Sequence, residues 1–168
     1  VWLLGQGGGT STLLAGAEGV RFAGLRFDPA SPSVVAVRED HRAAGEPQST
    51  LVALGGRAGP EGLVLQHGAD FYMSPTPSPD GALLAWIEWD HPNMPWDSTR
   101  LCMGRVVRGA DGTIAALAGV PVLAGGAGDE SRVEPPWPVD GHLLVISDRC
   151  ELLRVWEAVR QPAPHLLA

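Results

Sequence analysis

Apolar runs along this chain are short. They are cut at close intervals by clusters of Gly, Pro, Ser and Asp, which predicts many short strands rather than long helices. Val1-Trp-Leu-Leu4, Gly5-Gln-Gly-Gly-Gly9 and Ser11-Thr-Leu-Leu-Ala15 read as strand, turn and strand. The glycine cluster is read as a hairpin turn. It lacks the GxxxxGK[ST] of a phosphate-binding loop, and no helix-forming stretch follows it.

From Phe22 onward the pattern repeats. Phe22-Ala-Gly-Leu-Arg-Phe-Asp-Pro29 leads into Ser33-Val-Val-Ala-Val-Arg-Glu-Asp-His41, and 50 positions on Tyr72-Met-Ser-Pro-Thr-Pro-Ser-Pro79 leads into Leu83-Leu-Ala-Trp-Ile-Glu-Trp-Asp-His91. The register sets Phe22 on Tyr72, Pro29 on Pro79 and Asp40-His41 on Asp90-His91. A third copy lies 60 positions further, with Pro135 on Pro75 and Asp140-Gly141 on Asp80-Gly81.

Each copy continues with two more strand-like runs. These are Ser49 to Leu54 and Gly62 to Gln66, then Arg100 to Val107 and Ile114 to Leu123, then Glu151 to Trp156 and Pro164 to Ala168. Four short strands at this period are the signature of a β-propeller blade. The second strands (Ser33 to Val37, Ala82 to Trp89, Leu143 to Ile146) are apolar on consecutive residues, so they are expected to be buried on both faces, as in a sheet stacked between two others. The predicted fold is all-β: a partial β-propeller with half a blade plus about three four-stranded antiparallel blades. Its units are residues 1–20 (the last two strands of a blade), 21–68, 69–128 and 129–168. An open arc leaves blade faces uncovered, so the chain reads as a fragment of a longer ring.

Composition narrows the function classes. The net charge is −7 and every one of the 12 basic residues is arginine, which argues against nucleic acid, whose phosphates need a basic face. No apolar run is long and unbroken enough to span a bilayer, and no signal peptide is visible. Cys102 and Cys150 form neither a disulfide framework nor a zinc pattern; two reduced cysteines fit a cytoplasmic location. No cofactor is implied.

Ser78-Pro-Asp-Gly81 is turn chemistry: proline fixes φ, aspartate caps, and glycine admits positive φ. The loop that follows, His91-Pro-Asn-Met-Pro-Trp-Asp97, is not repeated. The first copy has a looser insertion there, His41 to Pro47, and the third only a tight Asp148-Arg-Cys150 turn. A rigid loop carrying His91, Asn93, Met94, Trp96 and Asp97 is the candidate interdomain or ligand-contact loop. The competing reading tucks Trp96 against its own blade. Asp90, His91 and Asp97 are conceivable metal ligands without a fourth partner. Two of Glu88, Asp90 and Asp97 are conceivable as a glycosidase carboxylate pair. No GxSxG, HExxH or strand–loop–helix frame is present, so no catalytic residue is assigned.

The stretch SPTPSPDGALLAWIEWDHPNMPWD (74–97), with the lead-in Gly68-Ala-Asp-Phe-Tyr72, resembles the N-terminal β-propeller of the prolyl oligopeptidase family, in particular its acylaminoacyl peptidase and dipeptidyl aminopeptidase-like branch. Val34 to His41 with Gly45-Glu-Pro47, and Leu144-Val-Ile-Ser-Asp-Arg149, fit neighbouring blades of the same family. The resemblance implies a serine peptidase in two domains. A propeller screens substrates over a C-terminal α/β-hydrolase domain, which is absent here and which carries the catalytic serine, aspartate and histidine. On that reading the partners are the hydrolase domain of the same full-length protein and a peptide substrate, cleaved at peptide or acylated N-terminal residues. The chain alone is expected to be inactive. The alternative is a non-catalytic propeller that binds a partner through its loops.

Overall fold

The computed structural model describes residues 1–3, 11–126, 130–133, 135–138, 142–148 and 154–160. Among them there is no helix, and every strand pairing is antiparallel. A small hairpin joins β1 (Trp2–Leu3) to β2 (Thr12–Leu13). A four-stranded meander follows: β3 (Val20–Phe27), β4 (Val34–Asp40), β5 (Gln48–Leu54) and β6 (Leu63–Gln66). The next sheet holds β7 (Phe71–Pro77), β8 (Leu83–Trp89) and β9 (Arg100–Arg108). Its outer position is shared by β10 (Ile114–Ala118) and β11 (Val122–Gly125), both paired with β9. The last sheet contains β12 (Arg132–Val133), β13 (His142–Ser147) and β14 (Arg154–Arg160). The architecture is a partial β-propeller, as the repeat predicts.

The sheets stack face to face because their second strands have two apolar sides. On β4, Val34 and Ala36 pack toward the β1–β2 hairpin with Ala15, Val52 and Leu54, while Val35 and Val37 pack toward the next sheet with Tyr72, Leu84 and Trp86. On β8, Leu84 and Trp86 face backward, and Ala85 and Ile87 face forward onto Leu143 and Val145. Trp86 is fully buried between the sheets. Burying each such aliphatic side chain is worth about 1.5–3 kcal/mol. No sheet could collect that alone, because each face is covered by its neighbour.

The repeat register holds in space. Both long first strands bulge at equivalent places, between Ala23 and Arg26 on β3 and between Met73 and Thr76 on β7. Each bulge holds one residue in the left-handed region, Gly24 (φ 61°) and its repeat partner Ser74 (φ 51°). Arg26, Ser74, Thr76, Pro135 and Pro136, drawn from three successive sheets, line one cavity. Three stacked sheets converge only at their common axis, so the first strands are innermost.

The turns at one end are joined by a buried ion pair. Asp28, at the end of β3, is almost wholly enclosed (side chain 1% exposed) and receives both guanidinium nitrogens of Arg108, at 2.7 and 3.1 Å. Arg108 also donates to the carbonyls of Gly81 (2.7 Å) and Gly112 (3.1 Å). Burial pushes the Asp28 carboxyl upward, but the Arg108 fork, the Ser31 hydroxyl and the Ala30 amide outweigh it and hold the pKa below the ordinary value. Gly81 sits beside this pair at φ 67° in the Ser78-Pro-Asp-Gly turn, closed by Gly81 N–H to Ser78 O at 2.8 Å. A Cβ there would come within 2.8 Å of both Asp28 Oδ1 and Ala30 Cβ, so glycine is required by space as well as by φ.

Four details depart from the sequence reading. The expected strand from Ile114 to Leu123 is broken at Gly119-Val-Pro121 into β10 and β11, because proline removes a ladder donor and Gly119 turns to φ 57°. The second strand of the last sheet, Leu143 to Ile146, is not buried on both faces: Leu143 and Val145 are buried while Leu144 and Ile146 are only half-buried, since no described sheet covers the outer side. The strand expected from Glu151 to Trp156 continues past Trp156 to Arg160, with Arg154–Arg160 paired along β13 from Ser147 to His142. The second N-terminal strand covers only Thr12–Leu13 of the expected Ser11–Ala15. The Gly5–Gly9 turn, the Arg149-Cys150 turn and the closing Pro164–Ala168 run lie outside the described residues.

Replacing Arg108 by Met would strand the enclosed Asp28 carboxylate. The expected loss is about 3 kcal/mol, at the lower end for a buried pair because Arg108 itself is partly exposed. Urea-denaturation midpoints measure it. Because the folded pKa of Asp28 is depressed, the pair stabilises above the ordinary carboxyl pKa, and that contribution disappears as pH falls through the folded value. The acid limb of a Tm-against-pH curve is therefore expected to be shallower in Arg108→Met than in the parent chain.

Candidate functional site

At the opposite end of the sheets, the β4–β5 and β8–β9 connections lie side by side. The second is the loop picked out in the sequence, and its anchoring begins in the core. The Trp86 indole N–H donates to Glu88 Oε2 at 2.8 Å, and Glu88 Oε1 accepts from Arg100 Nε at 3.2 Å. Arg100 Nη1 lies 2.7 Å from Asp90 Oδ2, and Asp90 Oδ1 accepts the Asp70 amide at 3.0 Å. Asp70 Oδ2 in turn accepts the His91 amide at 2.9 Å. A continuous polar line thus runs from a buried tryptophan to the first residue of the loop.

The charges along this line stabilise one another. Burial pushes Asp90 upward, but Arg100 and the Asp70 amide prevail and keep its carboxyl below the usual range. Burial lowers Arg100, while Asp90 and Glu88 raise it, with a net rise. Cys102, enclosed beside Glu88, is pushed up to about 12 by burial and then by that carboxylate, so it is an inert thiol.

Within the loop the five candidate residues divide into two kinds. His91 packs edge-on against Phe71, with centroids 4.9 Å apart, and Phe71 stacks on Trp89 at 5.1 Å. His91 Nε2 reaches across to Glu46 Oε2 of the neighbouring sheet's loop, 2.6 Å away, and that carboxylate raises the imidazole pKa. The His91–Pro92 peptide bond is cis. Asn93 donates its amide N–H (3.1 Å) and its Nδ2 (3.3 Å) to Asp90 O. Asp97 Oδ2 accepts the Met94 amide at 2.8 Å, and the Asp97 amide returns a bond to Met94 O at 2.9 Å. These three residues build the loop.

Met94 (45% exposed) and Trp96 (66% exposed) are what the loop displays. Trp96 is therefore not tucked against its own blade, because Asp97 and the Ser131 hydroxyl, bonded to Pro95 O at 2.7 Å, hold the loop backbone with its apolar side outward. The residues proposed as metal ligands are not gathered together: Asp90 faces Arg100, Asp97 caps Met94, and His91 faces Glu46. Among the described residues no group of three His, Cys, Asp or Glu side chains is placed to hold a metal ion. The carboxylates proposed for glycosidase chemistry are likewise bound to Arg100 or to the loop backbone. Glu46, Asp70 and Arg100 are the supporting residues that sequence reading did not single out; Glu46 and Asp70 do fall in the two short segments flanking the motif, Gly45-Glu-Pro47 and Gly68 to Tyr72.

The two kinds of residue are expected to respond differently. Trp96→Ala removes an exposed ring and should change stability by no more than about 0.5 kcal/mol, whereas Asp70→Ala unpairs the His91 amide and should cost about 1 kcal/mol. Thermal melts of the two variants check this. By NMR titration, His91 is expected to titrate above the usual histidine midpoint and to return toward it in Glu46→Gln. The His91–Glu46 tie is present at low pH and lost as pH rises through the raised midpoint.

No family model matches the chain, and no curated protein matches it. Solved structures do. The chain is similar to a puromycin-hydrolyzing peptidase of Mycobacterium tuberculosis, with 32% identity and a TM-score of 0.70 over 82% of this chain and 22% of that one. It is similar to puromycin hydrolase, with 28% identity and a TM-score of 0.73 over 89% of this chain and 23% of that one. A serine-to-alanine variant of puromycin hydrolase complexed with PGG gives 27% identity and a TM-score of 0.72 over 89% and 24%. The chain spans less than a quarter of each of these proteins.

Proposed function

We propose that this partial propeller, of the kind found in the prolyl oligopeptidase family, is the substrate-screening, accessory part of a serine peptidase. Its catalytic serine, aspartate and histidine would lie in an α/β-hydrolase domain of the same full-length protein. The observation that carries this reading is the likeness over 82–89% of the chain to puromycin-hydrolysing peptidases several times its length. The loop supports it. Its backbone is tied to the core through Glu88 and Arg100, and it turns Met94 and Trp96 outward, the arrangement expected of a surface that meets another domain or a ligand. The substrate class is taken to be short peptides and aminoacyl or acylaminoacyl amides, puromycin included.

Catalysis here would be divided between parts. The propeller supplies walls that admit small substrates and a rigid contact loop; the hydrolase domain supplies the nucleophile and its base. Accordingly, the 168-residue chain alone is expected to release no p-nitroaniline from aminoacyl or acylaminoacyl p-nitroanilides and no product from puromycin. Release by the chain alone would sink the reading. The coding sequence after Ala168 is expected to hold a GxSxG followed by Asp and His; a stop codon or further blades there would favour an interaction module. In the intact peptidase, Trp96→Ala is expected to raise KM about tenfold with kcat within about twofold, the pattern of a lost binding contact.

A further inference from the structure

The innermost strands carry a second feature, separate from the loop. The cavity at the common axis has a volume of about 280 Å³ and is lined by Arg26, Ser74, Thr76, Pro135 and Pro136. Arg26, Thr76 and Pro136 occupy the same repeat position in three successive copies, spaced by 50 and 60 residues. One position of the scaffold thus presents a guanidinium, a hydroxyl-bearing side chain and a rigid ring around one space.

Arg26 is one of the described arginines that face no carboxylate, and it is the one that lines this cavity. Arg38, Arg42, Arg57, Arg100 and Arg108 each face a carboxylate. Arg26 has no carboxylate partner among the described residues; its Nη1 bonds only the adjacent Leu25 carbonyl, at 3.0 Å. Ser74 holds φ 51° where its repeat partner is Gly24 at φ 61°, so a side chain stands in a conformation that glycine adopts without cost. The hydroxyl of Thr76 is occupied by Ser74 O (2.9 Å), and the Thr76 carbonyl accepts the Trp137 indole N–H (3.1 Å). Both contacts fix the wall from which Ser74 projects.

We propose that this axial cavity seats the free C-terminal carboxylate of a short peptide, with Arg26 as the cationic fork and Ser74 as a hydroxyl donor. A guanidinium matches a carboxylate with two parallel N–H···O bonds. The space, about 280 Å³, has room for the end of a peptide. Each of β3 and β7 is hydrogen-bonded on one side only among the described strands, which leaves backbone edge groups toward the axis for an extended chain to meet. The choice of a peptide as the carboxylate's source rests on the peptidase reading above; the anion seat itself does not.

The test is calorimetric titration of this chain with tri-alanine, with tri-alanine amide and with inorganic phosphate. The free acid is expected to bind at least about tenfold more tightly than the amide, since only the acid offers the charged oxygens. Arg26→Gln is expected to abolish that difference. Arg105→Gln, which removes another exposed arginine without a carboxylate partner among the described residues, should leave it intact. Ser74→Ala and Ser74→Gly should each weaken the acid about three- to tenfold. Equal affinity for acid and amide, an unchanged Arg26→Gln, or phosphate binding as tightly as the peptide would each overturn the proposal. Thermal melts run alongside confirm that the variants are folded; Arg26 is exposed, and glycine suits the backbone at position 74. Hydrolysis plays no part in the assay. A chain that fails here yet is active when joined to a hydrolase domain refutes the seat and leaves the peptidase reading standing.

Discussion

Each sheet of this chain has two apolar faces, and everything else follows from the need to cover both. Val35 and Val37 look one way and Val34 and Ala36 the other; Trp86 and Ile87 divide between two neighbours in the same manner. A sheet of this kind has no stable isolated form, since its apolar faces are buried only by contact with neighbouring sheets. Stacking is therefore the folding unit. Where stacking stops among the described residues, alternation reappears: on β13, Leu143 and Val145 are enclosed while Leu144 and Ile146 are half-open.

Stacking by itself leaves rotation between sheets weakly defined, because apolar contact has little direction. The polar contacts supply it, at both ends. At one end the Arg108 fork on Asp28 is geometrically strict and also holds two turn carbonyls, so the turn of one sheet is locked to two turns of the next. Gly81 permits that approach, since any side chain would fill the space the pair occupies. At the other end the line from Trp86 through Glu88, Arg100, Asp90 and Asp70 delivers the His91 backbone to a fixed place, and Glu46 of the neighbouring sheet meets it there. With both ends pinned, the axial strands are held at a constant spacing. Their bulges then turn the residues around positions 26 and 76 toward a shared cavity.

The repeat breaks its own rule in two places. The turn at 78–81 is present in altered form in the other copies and is structural. The β8–β9 loop has no counterpart of the same kind, and it is the part that displays a tryptophan and a methionine. At the axis the break is subtler. The backbone repeats, down to the left-handed residue in each bulge, while the side chains change from Gly24 to Ser74 and from Arg26 to Thr76. A scaffold that keeps its geometry and varies its chemistry at equivalent positions is a natural place for asymmetric recognition.

The sequence by itself determined the strands, their grouping and their repeat register, because these depend on burial pattern and turn chemistry within a few neighbouring residues. Apolar runs of consecutive residues announced stacking, and Ser78-Pro-Asp-Gly announced its own turn. The resemblance of residues 74–97 to one peptidase family lay in the same local stretch. Local pattern failed where a nearby interruption or the neighbouring sheet decided the outcome: at the Gly119–Pro121 break, and on β13, whose run is as apolar as that of β8 but has no second covering sheet among the described residues. The tertiary structure alone decided which charges meet. Asp28 and Arg108 are 80 residues apart and Glu46 and His91 are 45 apart, while Arg26 and Ser74, from different sheets, line one cavity. Nothing in the spacing along the chain specifies such pairs, because the distance between two charges on different sheets is set by how those sheets stack, and that is a property of packed faces in three dimensions.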